Sequence, residues 1–190
     1  MSRFNIPFFP DVVYQSDMPL ISNRLTQFEG VSFSRFGSGK SGSFHCFVDD
    51  WRLESIWRDP LFMIDRAIAS GVCTCPDYSV FPGFPLYFMQ YQVFRSRLIG
   101  SYWSACGVSV LPVLQWPSFD PVLLDFCFSG LSSVAVVAVR APIKSVLSDW
   151  LSCAEYFRVL YPDIVVYHFG RRLGSSVWGD NCRVLSLNPV

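Results

Sequence analysis

"FGSGKSGSFHCFVDDW", residues 36–51, decides the fold of this chain. Its Gly39-Lys40-Ser41 triplet, with Asp49 and Asp50 close behind, has the ingredients of a phosphate-cradling loop with metal-holding carboxylates. Such a loop runs G-x-x-x-x-G-K-[ST] between a strand and a helix, so that backbone N–H groups and the helix N-terminus converge on the phosphates. Here the position of the first glycine is Ser34, and the next run, FHCFVDD (44–50), has a strand pattern. With no helix N-terminus to face a phosphate, the stretch reads as a turn that enters the first core strand.

From that strand onward, short apolar runs alternate with longer helical patterns, the signature of β-α units on a parallel sheet. WRLESIWRDPLFMIDRAIAS (51–70) is helical and broken at Pro60, and GVCTCPDYS (71–79) is a strand ending in polar residues. PLYFMQYQVFRSRLIGSYWSACG (85–107) is a long helix, with Pro85 near its first turn and Gly107 at its C′ position. VSVLPVLQW (108–116) is a strand, and a short helical turn comes next around 119–128. SSVAVVAVRA (132–141) is apolar throughout, as in a strand buried on both faces. KSVLSDWLSCAEYFRVLY (144–161) is a helix closed by Pro162, DIVVYHFG (163–170) a strand, and CRVLSLNP (182–189) a last strand. The fold class is therefore α/β, with about five or six mostly parallel strands. An eight-unit barrel needs about 250 residues, so the expectation is a partial or reduced TIM-like barrel, with an open doubly wound sheet as the alternative. Residues 1–43 read as an irregular N-terminal segment with extended pieces (VVYQS, VSFSRF), and 44–190 as a single α/β domain.

Composition narrows the function classes. With 51% hydrophobic and 16% charged residues the chain is not a disordered one, and its zero net charge argues against a broad nucleic-acid-binding face. The N-terminal MSRFNIPFFPDVVYQS is interrupted by Pro7 and Pro10 and reads as no signal peptide. No run approaches the roughly 18 apolar residues of a membrane span. The seven cysteines form no CxxC pair, which reads as buried reduced thiols and a cytoplasmic setting.

Ligands of parallel α/β folds bind at the carboxyl ends of the strands. Those ends here carry Asp49 and Asp50, then Asp77 with Ser79, then Gln115 and Trp116, then Arg140, then His168. Each residue alone has a plain role as a helix cap, an exit from the core or a satisfied histidine. Together they describe a rim that could hold a phosphate or a cation such as Mg²⁺ or Mn²⁺, with Asp50 and Asp77 as metal ligands or as acid and base. Arg95 and Arg97 add cationic groups. They stand about 200° apart around their helix, so one faces the rim or a partner while the other meets solvent or an acid. Trp103 shares the Arg95 face, although most aromatics fall at core spacing.

FHCFVDDWRLESIW (44–57), PDYSVF (76–81), FRSRLIGSYW (94–103), GVSVLPVLQW (107–116) and DFCFSGL (125–131) together resemble a family of phage, plasmid and bacterial proteins, domain of unknown function 4417. The resemblance spans roughly residues 44 to 170 and implies a mobile-element context and a cytoplasmic site of action in a bacterial host. Its motif positions map onto Asp49, Asp50, Pro76, Asp77, Ser79, Arg95, Arg97, Trp103 and Trp116, with Gln92 where the family commonly has Asn. It brings no activity with it. Two readings stand: a metal-assisted enzyme on a phosphorylated or nucleotide-like substrate, or a non-catalytic accessory protein that binds host protein or nucleic acid. Self-assembly through the aromatic surface is a third.

Overall fold

The structure is a computed structural model that describes residues 9–22, 31–61, 63–131, 134–171, 173 and 177–185. It opens with a small hairpin, β1 (Tyr14–Gln15) and β2 (Met18–Pro19). Ser16 and Asp17 both take positive φ, 49° and 64°, as a two-residue turn of the primed type requires. Then come β3 (Ser34–Arg35), β4 (Phe44–His45), α1 (Asp50–Arg58), α2 (Ile64–Ser70) and β5 (Val72–Thr74). The second half runs α3 (Leu86–Ala105), β6 (Ser109–Leu111), α4 (Pro121–Phe128), β7 (Val136–Arg140), a 3-10 turn at Lys144–Val146, α5 (Leu147–Leu160), β8 (Val165–Phe169) and β9 (Cys182–Leu185).

Local chemistry sets the boundaries. Pro60 falls between α1 and α2, where a helix would lose a hydrogen bond and clash. Asp120 caps α4, its carboxylate accepting from Leu123 N at 3.1 Å with Pro121 in the first turn. Gly107 closes α3 with φ 90°, its N–H donating to Ser104 O. Gly39, Lys40 and Ser41 lie in the turn between β3 and β4, and the next element is a strand, so no helix terminus backs that loop.

The parallel strands lie in chain order, β3-β4-β5-β6 in one ladder and β7-β8-β9 in another. A parallel bridge, Val113↔Ala138, joins the two, with Leu114 N donating to Ala138 O and Ala138 N to Pro112 O, both at 2.8 Å. Pro112 has no N–H to donate, which accounts for the thin junction. The order never reverses, and right-handed crossovers then put the helices on one side. The sheet rolls about its other face. From opposite halves, Phe33, His45 and Phe47 meet Phe169 at ring-centroid distances of 5.2, 5.7 and 4.9 Å. The edge strands β3 and β9 are not paired with each other among the described residues, so the α/β sheet is curled and open. β3 lies upstream of residue 44 and is an integral strand of that sheet.

On the helix side, α3 packs close. Gly100 sits where a Cβ would come within 2.2 Å of Cys75 Sγ and 2.9 Å of Ile21 Cδ1. The hairpin is tied to the same helix by Ser101 Oγ, which donates to Leu20 O at 2.8 Å. Cys46, Cys73, Cys75, Cys127 and Cys153 are buried free thiols, and burial pushes each of them up from the ordinary thiol range. Among the described residues no helix is long and apolar enough to cross a membrane. Because the Gly100 contact is with a buried thiol on a strand exit, Gly100→Ala is expected to destabilise the fold by about 1–3 kcal/mol. A urea unfolding midpoint equal to that of the parent protein would refute this close packing.

Candidate functional site

Three successive strand exits shape one cleft. The segment after β5 supplies Asp77, Tyr78 and Ser79, the segment after β6 supplies Gln115 and Trp116, and the end of β7 supplies Arg140. The volume is about 480 Å³, and Phe81, Ile143 and Trp150 contribute apolar wall. Thus five of the residues expected on the rim, Asp77, Ser79, Gln115, Trp116 and Arg140, do line a single cleft.

Its polar groups are unequally engaged. Gln115 Nε2 donates to Asp77 Oδ1 at 3.1 Å and also to the Tyr78 carbonyl. Its Oε1 has no hydrogen-bond partner among the described residues, although the side chain is only 7% exposed. The Trp116 Nε1–H is likewise unpartnered among them, its ring held by Phe128, Trp150, Phe157 and Trp178. Arg140 is exposed, and no carboxylate lies within ion-pair distance of it among the described residues. Asp77 is half-buried. Burial pushes its carboxyl up to about 7, against the pull of the Arg140 guanidinium and the Gln115 amide, with the Asp50 charge raising it further.

Asp50 does a different job. From the first turn of α1 it accepts Ser79 N at 3.0 and 3.1 Å and Ser79 Oγ at 2.8 Å. Gln92 Nε2 braces the same pair, reaching Asp50 Oδ2 at 3.4 Å and Ser79 O at 3.3 Å. Asp50 therefore anchors the β5 exit from behind and is not among the lining residues. Asp49 is exposed at the N-cap position of α1 and makes no side-chain cap bond.

The two arginines of α3 turn to opposite partners, and neither lines the cleft. Arg95 pairs with Glu54 at 2.8 Å and lies 3.6 Å over the Tyr78 ring. Arg97 is wholly buried and donates to Val113 O at 2.8 Å and Cys127 O at 3.0 Å. Trp103 is wholly buried against Phe44 in the core. His168 does not line the cleft; it packs against Trp150 and accepts from Trp178 Nε1 at 3.2 Å. Burial lowers its basicity. Among the described residues no group of three His, Cys, Asp or Glu side chains comes together to hold a metal ion.

Some contributors carry no strong mark in the sequence. Glu54 stands four residues after Asp50, a spacing that puts both on one face of α1. His45 alternates with Phe44 and so faces the interior of the roll. Burial, then Arg140 and Arg35, lower it to about 4.

A rolled parallel α/β sheet with a polar-floored cleft at its strand carboxyl ends defines the class of protein. The chain belongs to the family described as Domain of unknown function (DUF4417), whose model matches residues 4–168. It is similar to the "Gene 1 protein" of Mycobacterium phage D29, 36% identical over 106 residues, which is 56% of this chain and 38% of that protein. It is also similar to the "Gene 1 protein" of Mycobacterium phage L5, 34% identical over 106 residues, or 56% of this chain and 45% of that protein. The matched segment thus spans less than half the length of either relative. Both are phage proteins, in keeping with the context that the residue motifs implied. No solved structure matches.

The raised Asp77 carboxyl sets a pH signature. Its folded value, about 7, lies above the unfolded 3.8, so between these values the folded state holds a proton that the unfolded chain has lost. Its contribution to stability is full below the unfolded value and is lost as pH rises towards 7. His45 runs the opposite way across much the same window, its folded value of about 4 lying below 6.5. The comparison with Asp77→Asn isolates the carboxyl. The stability of that variant relative to the parent is expected to improve as pH rises from about 4 to 7. A difference that stays constant with pH would show that Asp77 titrates normally.

Proposed function

We propose that the cleft binds a phosphorylated or nucleotide-like small molecule and that Asp77 exchanges a proton with it. The observation that carries this reading is the convergence of Asp77, Gln115 and Arg140 in one cleft, with the Gln115 Oε1 unpartnered among the described residues. Arg140 supplies a guanidinium with no carboxylate in ion-pair contact among the described residues, suited to an anionic group. Gln115 Oε1 accepts an N–H or O–H of the ligand. Phe81, Ile143 and Trp150 receive its less polar body, an arrangement common to small-molecule sites. A carboxyl titrating near 7 is matched to general acid–base work at neutral pH. Mg²⁺ or Mn²⁺ arriving with a phosphate would find one cleft carboxylate, Asp77, and would draw its other oxygens from the phosphate and water. Asp50 is a positioning residue in this scheme, because it acts on the cleft through Ser79.

The accessory-protein reading draws on a separate feature. Phe81, Phe84 and Phe88 form an edge-to-face ladder beside the cleft, where Phe81 is 52% and neighbouring Tyr87 74% exposed. An aromatic surface of this kind suits a protein partner.

A thermal-shift panel of nucleotides and sugar phosphates, with and without Mg²⁺, separates the readings. A ligand at 100 times its Kd stabilises by about 2.7 kcal/mol. At least one member is expected to raise the midpoint of the parent protein and to lose that effect in Arg140→Gln. Asp77→Asn is expected to retain binding while any turnover of the ligand disappears. A panel without effect on the parent, or a shift that persists in Arg140→Gln, would overturn the small-molecule reading.

A further inference from the structure

The rolled sheet directs a second arginine, which does not itself line the cleft, into the interior that the Arg140 strand end also faces. Arg35, on β3, is the in-register Cα partner of His45 on β4. Arg140, on β7, is the in-register Cα partner of Phe169 on β8. Lateral neighbours in a parallel ladder project to the same face of the sheet. The His45 and Phe169 rings touch across the roll at 5.7 Å, and Phe33, two residues before Arg35, meets Phe169 at 5.2 Å. Arg35 and Arg140 therefore project into the same interior, one from each half of the sheet, on either side of the His45–Phe169 contact.

Neither guanidinium is held in an ion pair among the described residues, although Arg140 acts on the Asp77 carboxyl across the cleft. Arg35 is half-buried, Arg140 is exposed, and neither donates a side-chain hydrogen bond or forms an ion pair among the described residues. The Arg95–Glu54 pair shows the ordinary alternative, a guanidinium met by a carboxylate at 2.8 Å. Two cations facing one interior repel each other unless an anion stands between them.

We propose that Arg35 and Arg140 are the two arms of a clamp for a phosphate monoester dianion, closed across the rolled sheet over His45. This rests on the small-molecule reading of the cleft and names the charged group of its ligand. Two planar forks present parallel N–H pairs, which match the oxygens of a terminal phosphate better than the single oxygen pair of a carboxylate. His45 is held neutral between them, by burial first and then by the two guanidinium groups. A neutral imidazole can donate to a phosphate oxygen without adding a third charge. Binding of a dianion offsets the two cations, so the imidazole becomes easier to protonate when phosphate is present. The groups that face it are Arg35 from β3, Arg140 from β7, the rings of Phe47 and Phe169, and the Phe47 N–H. That N–H donates to Nδ1 at 3.3 Å and so leaves Nε2–H as the donor to phosphate.

The test uses inorganic phosphate and the full chain. Phosphate affinity is measured by equilibrium dialysis for the parent, Arg35→Gln, Arg35→Lys, Arg140→Gln and Arg52→Gln. Arg52 lies 4.5 Å over the Trp51 ring and serves as a control for general charge. Loss of either arm is expected to weaken binding about tenfold or more, the value of a charge-assisted hydrogen bond. Arg35→Lys should recover part of the affinity, and Arg52→Gln should match the parent. The chain has two histidines, so imidazole NMR signals give a second readout. Phosphate is expected to raise the apparent pKa of His45 and to leave His168 unmoved, since His168 packs against Trp150, accepts from Trp178 Nε1 and does not line the cleft. Arg35→Gln with parental affinity, beside an Arg140→Gln that binds weakly, would overturn the clamp and leave the cleft reading standing. Phosphate binding indifferent to both substitutions, or absent from the parent while nucleotides still bind, would overturn the clamp as well. If neither phosphate nor any nucleotide binds, both readings fall.

Discussion

The Arg97 guanidinium is the group on which the rest of this structure depends. It is wholly buried and, among the described residues, has no carboxylate partner, being held by the carbonyls of Val113 and Cys127. Burial of that charge costs several kcal/mol, offset only in part by the two carbonyls because its Nε has no partner among the described residues, and it lowers the arginine's own basicity. The return is positional. Val113 is the residue through which the two strand ladders meet, and Cys127 belongs to α4. One side chain from α3 thus fastens a helix, the junction of the sheet and a second helix at a single point. The proline that weakens the junction sits next to it, at position 112.

The cleft inherits its shape from that junction. Leu114, Gln115 and Trp116 come directly after Val113 and form one side of the cleft, and Arg140 lies two residues beyond Ala138. The opposite side is held by Asp50 and Gln92 through Ser79, and by Arg95 through its stacking on Tyr78. The ionisable groups therefore divide by task. Asp50, Glu54, Arg95 and Arg97 are engaged within the fold, whereas Arg35 and Arg140 form no ion pair among the described residues. Asp77 stands between the two sets, hydrogen-bonded to Gln115 yet facing the cleft.

Much of the fold is legible in the sequence because β-α alternation leaves two different periodicities in the chain, and Pro60 and Gly107 punctuate them. The failed phosphate loop can be read from Ser34 and from the strand after Ser41. The rim is legible in outline because parallel strands end on one side of the sheet whatever their pairing. Its inner division is not. Asp50 looks like a helix cap, and only the approach of β5 reveals Ser79 as its partner, 29 residues away. The helical angle between Arg95 and Arg97 predicts different surroundings, but Glu54 and the two carbonyls belong to other elements. The place of His168, outside the cleft lining, is hidden for a similar reason. In VVYHF both faces of the strand are apolar, so parity does not announce which face meets the helices. The rolling of the sheet, which brings Arg35 towards Arg140, arises from strand order and leaves no local mark.

Native-state hydrogen exchange on Arg97→Lys tests the central dependence most directly. Lysine keeps the charge but cannot span two carbonyls with a planar fork. The predicted result is a selective loss of protection at the Leu114 and Ala138 amides, which bond across the junction at 2.8 Å, with the β7–β8 ladder retained. Protection lost evenly across all strands, or unchanged at those two amides, would contradict the claim that Arg97 holds the sheet together where the cleft begins.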